Sequence, residues 1–390
     1  MSKKLVIFCD GTGNEIAENQ SNVLKLYHMM KHDDQQLCFY DTGVGTIGSS
    51  GDWNELLIKA KTIFGLATGF GLNKNVLEAY RFLIRNYNKG DKIFIFGFSR
   101  GAYTARVLAG FIHLIGLLDK HQEHLASYAF RAYKESGLKN NNEIAYRVNK
   151  ILRTQRPTIS MLGCWDTVGS VFIPNPKYCY LPTLQKLPLI SENPSVKRFR
   201  HAMAIDERRR LFHVVPWKQE QRFNEVVYKD DGPYVAQDIK QVWFAGVHSD
   251  IGGGYAESES QLSKLPLIWM MKEAKACGLV FRPKMTDMMA YGKDPYKGHE
   301  KRAYVGPDSL ADIHDSMSTL LWRLAEYLPA RVAGLWGKNR RKILGWYLPC
   351  AEPRPLGNNP NLHSSVTERL QSDIGYRPAN VLQVEGKPKE

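Results

Sequence analysis

The hydrophobic residues of this 390-residue chain fall into short runs, each of which ends in a polar, glycine-rich turn. Such a run is typical of a strand that is buried on both faces of a parallel sheet. Strands are predicted at Leu5–Cys9, Gln36–Tyr40, Asp91–Phe96, Thr158–Trp165 and Gln241–Val247.

Apolar residues at helical spacing alternate with these strands. Helices are predicted at Asn22–Met30, Asn73–Asn86 and Ala102–Leu118, and a polar helical region at His121–Arg153. The alternation indicates the α/β class, a mostly parallel sheet flanked by helices as in the α/β-hydrolases. Ligand sites in such sheets form beyond the carboxyl ends of the strands. We therefore expect the polar turns that follow the strands to meet at one edge.

Two regions are predicted along the chain. We expect residues 1–280 to form an α/β-hydrolase catalytic core, and residues 281–390 to form a helical appendage packed on that core. An insertion at about residues 170–200, rich in Pro, Leu and Tyr, is a candidate lid. The appendage is predicted from helix-like segments at Leu310–Leu328 and Leu362–Leu370, which prolines interrupt.

Composition and charge restrict the class of protein and its partners. Hydrophobic residues make up 43% and charged residues 24%, which is ordinary for a globular protein and argues against extensive disorder. The formal net charge of +14 favours polyanionic partners, such as nucleic acids, anionic membranes or acidic proteins. Nucleic acid is disfavoured because no base-stacking module is recognisable. The basic segment Lys338–Lys342 lies among aromatic residues, which suits either a membrane interface or an exposed basic turn.

The cysteines and apolar stretches bear on the compartment. The six cysteines include no CxxC pair, and Cys9 and Cys164 lie in apolar runs, so we expect buried thiols and a reducing compartment. The apolar run before Asp10 is too short for a signal peptide, and the longest stretch, Val107–Leu118, is too short to span a bilayer. We expect cytoplasmic synthesis without a cleaved signal peptide, with leaderless export and peripheral membrane binding as open alternatives.

The strongest chemical signal is Gly97-Phe-Ser-Arg-Gly101, a G-x-S-x-G sequence with a strand before it and a helix after it. The two glycines allow a sharp turn that exposes the hydroxyl of Ser99 as a nucleophile. The next backbone N–H, that of Arg100, is then a candidate oxyanion donor. A chance strand-to-helix turn is the alternative reading.

A serine nucleophile needs a histidine base and a carboxylate that orients the base. In α/β-hydrolases these follow in the order Ser, acid, His. Asp166 and His248 fit that order, and each lies at a predicted strand end. The rival bases are His201, His213, His314 and His363, and the rival acids are Asp206 and Asp250. Asp206 reads as a helix end or part of an ion-pair network, and Asp250 as a residue that could assist His248.

The first strand supplies the other candidates. Gly11 and Thr12 are expected to complete the oxyanion hole, and Asp10 could assist. Asp10-Gly-Thr resembles the nucleophile loop of haloacid-dehalogenase phosphatases, but Phe8 occupies the position where those enzymes need an aspartate. No nucleotide-binding glycine motif is present, so no cofactor is predicted. The carboxylates are too scattered for a metal site, with a set of Asp10, Asp41 and Asp250 as a weak alternative.

Five motifs occur in order along the chain: Asp10–Asn14, Gly97–Tyr103, Trp165–Gly169, Ala204–Arg208 and Trp243–Gly254. Together they resemble the type VI secretion lipase-effector family, which has a phospholipase-like α/β-hydrolase domain. The likeness covers about residues 3–280 and is weaker around His314 and His363. Larger family members carry extra membrane-targeting modules, whereas this chain resembles the catalytic domain alone.

The resemblance implies a bacterial phospholipase A that cleaves acyl esters of glycerophospholipids with Ser99, Asp166 and His248 as its triad. It also implies a secretion or immunity partner protein, and the positive charge suits an anionic membrane surface. Two alternatives stay open. One is a serine esterase or thioesterase for soluble acyl substrates, and the other is a non-catalytic binding module that keeps the fold.

Overall fold

The computed structural model describes residues 2–11, 19–43, 71–139, 143–169, 172–174, 182–184, 187–224, 235–293, 304–318, 320–327, 330–331, 342–343 and 346–381. None of the helices in these ranges is both long enough and apolar enough to cross a bilayer.

The described residues form a six-stranded, fully parallel sheet in the order β6-β5-β4-β3-β1-β2. Its strands are β1 (Lys4–Cys9), β2 (Gln36–Asp41), β3 (Lys92–Phe98), β4 (Ile159–Trp165), β5 (Arg198–Ala204) and β6 (Asp238–Phe244). The chain runs outward from β1 to β2 and then returns to the other side of β1 to form β3. The strand order therefore reverses between β1 and β3, which is where α/β sheets open a ligand crevice.

Helices cover both faces of the sheet, so the predicted α/β class is confirmed. They are α1 (Asn22–Met29), α2 (Leu72–Asn86), α3 (Arg100–Ile115), α4 (Ala126–Lys139), α5 (Glu143–Leu152), α6 (His248–Gly252), α7 (Gln261–Ala276), α8 (Pro283–Tyr291), α9 (Leu320–Ala325) and α10 (Ser364–Gln371). Short 3₁₀ turns lie at Lys120–Leu125, Arg210–Phe212 and Glu257–Glu259. Two-residue and three-residue strands pair antiparallel at Phe172–Pro174 with Pro182–Leu184, Arg222–Phe223 with Val235–Ala236, and Ala330–Arg331 with Trp346–Tyr347.

The alternation of side chains along β1 shows how the core is divided. Leu5, Ile7 and Cys9 pack with α2, α3, α4 and α5 on one face, whereas Val6 and Phe8 pack with α1, α7 and α8 on the other. Successive strand residues point to opposite faces, so an apolar run without polar interruptions is required where helices cover both. All five side chains are completely buried.

The strand β5 was not predicted, and Asp206 in the turn after it was interpreted as a helix end or part of an ion-pair network. The sequence of this strand includes Arg200, whose charge interrupts the apolar pattern. Arg200 is nevertheless buried, because its guanidinium donates to the carboxylates of Asp238 and Glu273. Those partners become visible only in the folded chain.

The described part of residues 281–390 is helical only in part. It carries α8, α9 and α10 between stretches without regular structure. One such stretch lies against the sheet edge, where the N–H of Trp243 donates to the carbonyl of Asn361 at 2.8 Å and the N–H of His363 donates back to Trp243 at 2.9 Å. A buried cluster joins this region to β5 and β6: Met203, Ile205, Val214, Trp243, Ala245, Leu356, Val366 and Val381. The predicted division at residue 280 stays a prediction.

Part of the predicted lid at about residues 170–200, namely residues 170–171, 175–181 and 185–186, lies outside the described residues. Its last three residues, 198–200, belong to β5. Thr12 and most of the basic segment 338–342 are also outside them.

Candidate active site

Ser99 occupies a sharp turn between β3 and α3. Its backbone has φ 58° and ψ −122°, a strained conformation for a residue with a side chain. A side chain would not fit at either of the flanking glycines, Gly97 and Gly101. A Cβ on Gly101 would lie 2.1 Å from the carbonyl oxygen of Cys9, and one on Gly97 would lie 2.5 Å from the carbonyl oxygen of Gly101. The G-x-S-x-G spacing thus lets α3 approach β1 closely and places the hydroxyl at the carboxyl edge of the sheet.

His248 begins α6, just after β6, and reaches the serine across the sheet edge. Its Nε2 lies 2.8 Å from Oγ of Ser99, and its Nδ1 lies 2.5 Å from Oδ2 of Asp166. The rings of Phe98 and Phe212 flank the imidazole, with centroids 4.7 and 4.8 Å away. These contacts hold the ring between its two hydrogen-bond partners.

Asp166 follows β4 in a left-handed conformation, with φ 36°. Its N–H donates to the carbonyl of Ala202 at 2.7 Å, and its Oδ1 accepts from the N–H of Ala204 at 3.0 Å. Both bonds attach the turn after β4 to the neighbouring strand β5. The three residues proposed from the sequence as a triad are therefore brought together by three different strand ends.

Arg354 completes this arrangement and was missed from the sequence. Its Nη1 donates to Oδ1 of Asp166 at 2.6 Å and its Nη2 donates to Oδ2 at 3.0 Å. The same two groups donate to the carbonyls of Ala204, at 3.0 Å, and Phe212, at 2.5 Å. Both Arg354 and Asp166 are fully buried. Nothing in the local sequence around residue 354 signals this role, because Asp166 lies 188 residues away.

Burial and charge set the protonation states of the site. Burial opposes the charged form of Asp166, but Arg354 and the hydrogen bond from His248 outweigh it and hold the pKa of this carboxyl well below its usual value. Burial also lowers the pKa of His248, and Asp166 only partly offsets that effect. At neutral pH the imidazole is therefore neutral and donates through Nδ1 to the carboxylate. Its Nε2 is left to accept the hydroxyl proton of Ser99.

A second buried carboxylate, Glu207, supports the backbone of the histidine. Its Oε2 accepts the N–H of His248 at 3.2 Å and also binds Nη2 of Arg209 at 2.8 Å. Burial raises the pKa of Glu207, but the hydrogen bond and charge of Arg209 outweigh burial and lower this pKa to about 2. The ion pair in this turn is made by Glu207 with Arg209, and not by Asp206, for which the sequence left a helix end or an ion-pair network open.

The candidate oxyanion donors lie at two turns. Arg100 is the first residue of α3, where backbone N–H groups lack helical partners and the helix dipole favours negative charge. The N–H of Gly11 donates to Oδ1 of Asp10 at 2.6 Å. In this structure it therefore stabilises the turn after β1 and does not point to a substrate oxygen as an oxyanion donor would. Thr12 lies outside the described residues.

The two residues proposed to assist have supporting positions. Asp10 also accepts from Oγ of Ser21 at 2.5 Å and from the hydroxyl of Tyr40 at 2.6 Å. Asp250 accepts from the N–H of Val247 at 2.9 Å and binds Nδ1 of His314 at 2.6 Å. Asp10 thus anchors the turn after β1, and Asp250 anchors the turn that carries His248.

The rival residues make other contacts than those of the triad. His201 accepts the N–H of Thr167 at 3.1 Å, and His363 caps the start of α10. His213 is half-buried beside the 3₁₀ turn that ends at Phe212. Asp206 accepts from the N–H of Gly246 at 2.7 Å and from the hydroxyl of Tyr376 at 2.9 Å. Within the described ranges, no three His, Cys, Asp or Glu side chains form a cluster that could hold a metal ion.

The parallel sheet, its flanking helices and the strand-end position of the strained serine define an α/β-hydrolase-like protein. Residues 3–273 match the family model described as the catalytic domain of Tle1-like phospholipase effectors of the type VI secretion system. The chain belongs to this family, as the order of its motifs indicated.

Individual relatives are more distant. The chain is 31% identical to the uncharacterized protein YEL023C of Saccharomyces cerevisiae over 227 residues. That alignment covers 54% of this chain and 32% of the yeast protein. An uncharacterized protein from Pseudomonas aeruginosa aligns over 73% of this chain and 48% of its own, at 20% identity and a TM-score of 0.40. The Tle1 effector bound to the VgrG spike aligns over 67% of this chain and 52% of its own, at 20% identity and a TM-score of 0.33. The chain thus spans about a third of the yeast protein and about half of each solved chain.

Proposed function

We propose that this protein is a serine hydrolase that cleaves acyl esters of glycerophospholipids, with phospholipase A specificity. The observation that carries the proposal is the hydrogen-bonded chain from Ser99 through His248 to Asp166. Membership of a phospholipase effector family supports a lipid substrate. The net charge of +14 would favour binding to an anionic bilayer.

The proposed reaction has two halves. His248 Nε2 takes the hydroxyl proton as Ser99 Oγ attacks the ester carbonyl carbon, and Asp166 stabilises the imidazolium that forms. The N–H of Arg100 binds the oxyanion. Collapse of the tetrahedral intermediate breaks the acyl C–O bond, and His248 returns the proton to the departing lysophospholipid oxygen. Water then attacks the acyl-serine by the same route and releases a fatty acid.

The test is hydrolysis of vesicles made of phosphatidylglycerol and phosphatidylcholine whose two acyl chains differ in mass. We expect mass spectrometry to detect one free fatty acid with the matching lysophospholipid, and the acyl chain released gives the position cleaved. Ser99→Ala should remove the activity. Ser136→Ala is a matched control, since Ser136 is buried on α4 and donates only to its own helix, to the carbonyl of Ala132.

Three outcomes would contradict the proposal in different ways. Equal lipid hydrolysis by wild type and Ser99→Ala would refute the mechanism. Hydrolysis of short-chain esters without release of fatty acid from vesicles would favour an esterase for soluble substrates. Failure of a fluorophosphonate to label Ser99 would favour a non-catalytic binding module.

We also propose a secretion partner, because the matched family is one of type VI secretion effectors. Co-purification from cells that express a type VI spike protein tests this proposal, and the absence of any complex would contradict it.

A further inference from the structure

We propose that Arg354 is the residue that positions Asp166 and sets the protonation of the Asp166–His248 pair. The inference rests on the proposed function of the same site. It places an essential part of the site in the C-terminal region, beyond residue 273, where the match to the catalytic-domain family ends.

The geometry of the guanidinium carries the first step. Arg354 faces both oxygens of Asp166 and also donates to two backbone carbonyls, those of Ala204 and Phe212. Ala204 ends β5, and the ring of Phe212 packs against the imidazole of His248. A planar guanidinium with these four bonds can hold the carboxylate in only one orientation. That orientation is the one in which Oδ2 faces Nδ1 of the histidine.

The main chain of Arg354 is also fixed by a hydrogen bond, to the side chain of Asn380. Nδ2 of Asn380 donates to the carbonyl of Arg354 at 3.1 Å and to the carbonyl of Ile205 at 3.0 Å. Ile205 follows β5 directly and belongs to the buried cluster that joins the C-terminal region to the sheet. The guanidinium is therefore anchored to the strand that neighbours the turn of Asp166.

Charge gives Arg354 a second effect. Asp166 is fully buried, and a buried carboxylate without a cation is protonated more readily. Among the described residues, the other charged and titratable groups that interact with the pair or with Arg354 are Glu207, Arg209, His201 and His213. Arg209 is already bound to Glu207 by two side-chain hydrogen bonds, so it does not substitute for Arg354. Removal of the Arg354 charge should therefore raise the apparent pKa at which the Asp166–His248 pair gains a proton.

The test compares Arg354→Met, which removes the charge, with Arg354→Lys, which keeps it but loses the bidentate geometry. The control is Arg369→Met, because Arg369 is also buried in the C-terminal region but donates to the carbonyls of Ser309 and Ala311. Kinetics on a short-chain ester are measured from pH 5 to pH 9. Thermal melting shows whether each variant is folded.

We expect Arg354→Met to lower kcat about 10- to 100-fold with little change in KM, the range of losses known for residues that orient metal ligands by hydrogen bonds. The acid limb of its kcat/KM profile should move up by about one pH unit or more. Arg354→Lys should keep the acid limb near that of wild type while kcat stays reduced. Arg369→Met should lower the melting temperature but change neither kcat nor the position of the acid limb.

A folded Arg354→Met with the kcat and pH profile of wild type would overturn the inference. So would a lower kcat with an unmoved acid limb in both Arg354 variants, since that pattern belongs to a structural role alone. If Arg354→Met does not fold, Arg354→Lys decides: wild-type kcat would show that the bidentate contact is unnecessary.

An NMR titration of His248 separates this inference from the proposed function, because it needs no turnover. We expect the pKa of His248 to be higher in Arg354→Met than in wild type, even if neither protein hydrolyses lipids. An unchanged His248 pKa in a protein that does hydrolyse lipids would refute the role of Arg354 and leave the proposed function standing.

Discussion

Replacement of Asp166 by asparagine should damage stability as well as catalysis, because Arg354 is buried against this carboxylate. Asparagine keeps the shape of the side chain but removes its charge. In serine hydrolase triads this change leaves the geometry intact and lowers kcat about 10⁴-fold, because the histidine takes the wrong tautomer. Here it also leaves a guanidinium without a counter-charge in a position that solvent does not reach.

The expected magnitudes follow from these contacts. Arg354 and Asp166 are both fully buried and are joined by N–O distances of 2.6 and 3.0 Å. Removal of one partner from such a pair costs about 3–5 kcal/mol of the free energy of unfolding. A loss of about 10⁴-fold in kcat corresponds to about 5.5 kcal/mol of activation free energy.

Urea unfolding and ester kinetics of four proteins measure both effects: wild type, Asp166→Asn, Arg354→Met and the double variant. The double variant removes both charges, so we expect it to be more stable than Asp166→Asn by about 2 kcal/mol while it stays inactive. Asp206→Asn is the control. Burial raises the pKa of Asp206 to about 6, so loss of its charge should cost less than about 1.5 kcal/mol.

Two results would refute this reasoning. The first is an Asp166→Asn protein that unfolds at the same urea concentration as wild type. The second is a double variant whose loss of stability equals the sum of the two single losses, since that would mean that the two side chains do not interact energetically.

Four further predictions concern two buried lysines, the turn that carries Ser99 and the catalytic histidine. The side chains of Lys25 and Lys264 are buried and share the partly exposed carboxylate of Glu257, so Glu257→Gln should lower the free energy of unfolding at pH 7 by about 1.5–3 kcal/mol in urea titrations. Burial lowers the pKa of Lys264 to about 7, so between about pH 7 and 10 the unfolded chain binds more protons than the folded chain. The free energy of unfolding of wild type, relative to that of Lys264→Met, should therefore increase as pH rises through this window. A difference between the two proteins that does not change with pH would contradict the lowered pKa of Lys264. In Gly101→Ala the alanine Cβ would overlap the carbonyl of Cys9 in β1, so the variant should have a lower melting temperature and should not be labelled at the catalytic serine by a fluorophosphonate. Labelling equal to that of wild type would argue against the close packing of α3 on β1. Burial lowers the pKa of His248, so the acid limb of kcat/KM should have its midpoint below pH 6.5, and a midpoint above that value would contradict the neutral imidazole.

Local sequence was sufficient for much of the fold and for the position of the serine. A strand that is covered on both faces must be apolar throughout, so β1, β3 and β4 were predicted within about two residues of their observed bounds. The turn around Ser99 could be predicted for a similar reason, since only glycine fits at residue 97, against the backbone of α3, and at residue 101, against the carbonyl of Cys9. The sequence order then selected Asp166 and His248 as its candidate partners.

Tertiary structure decided the features in which a charge is neutralised by a distant partner. Arg200 made β5 look unlike a strand, because Asp238 and Glu273, which neutralise it, lie 38 and 73 residues further along the chain. Arg354 has no local pattern at all, because its role depends on Asp166, which is 188 residues away. Hydrophobic periodicity reports which face of an element is buried, but the cost of a buried charge is settled only by the group that folding brings beside it.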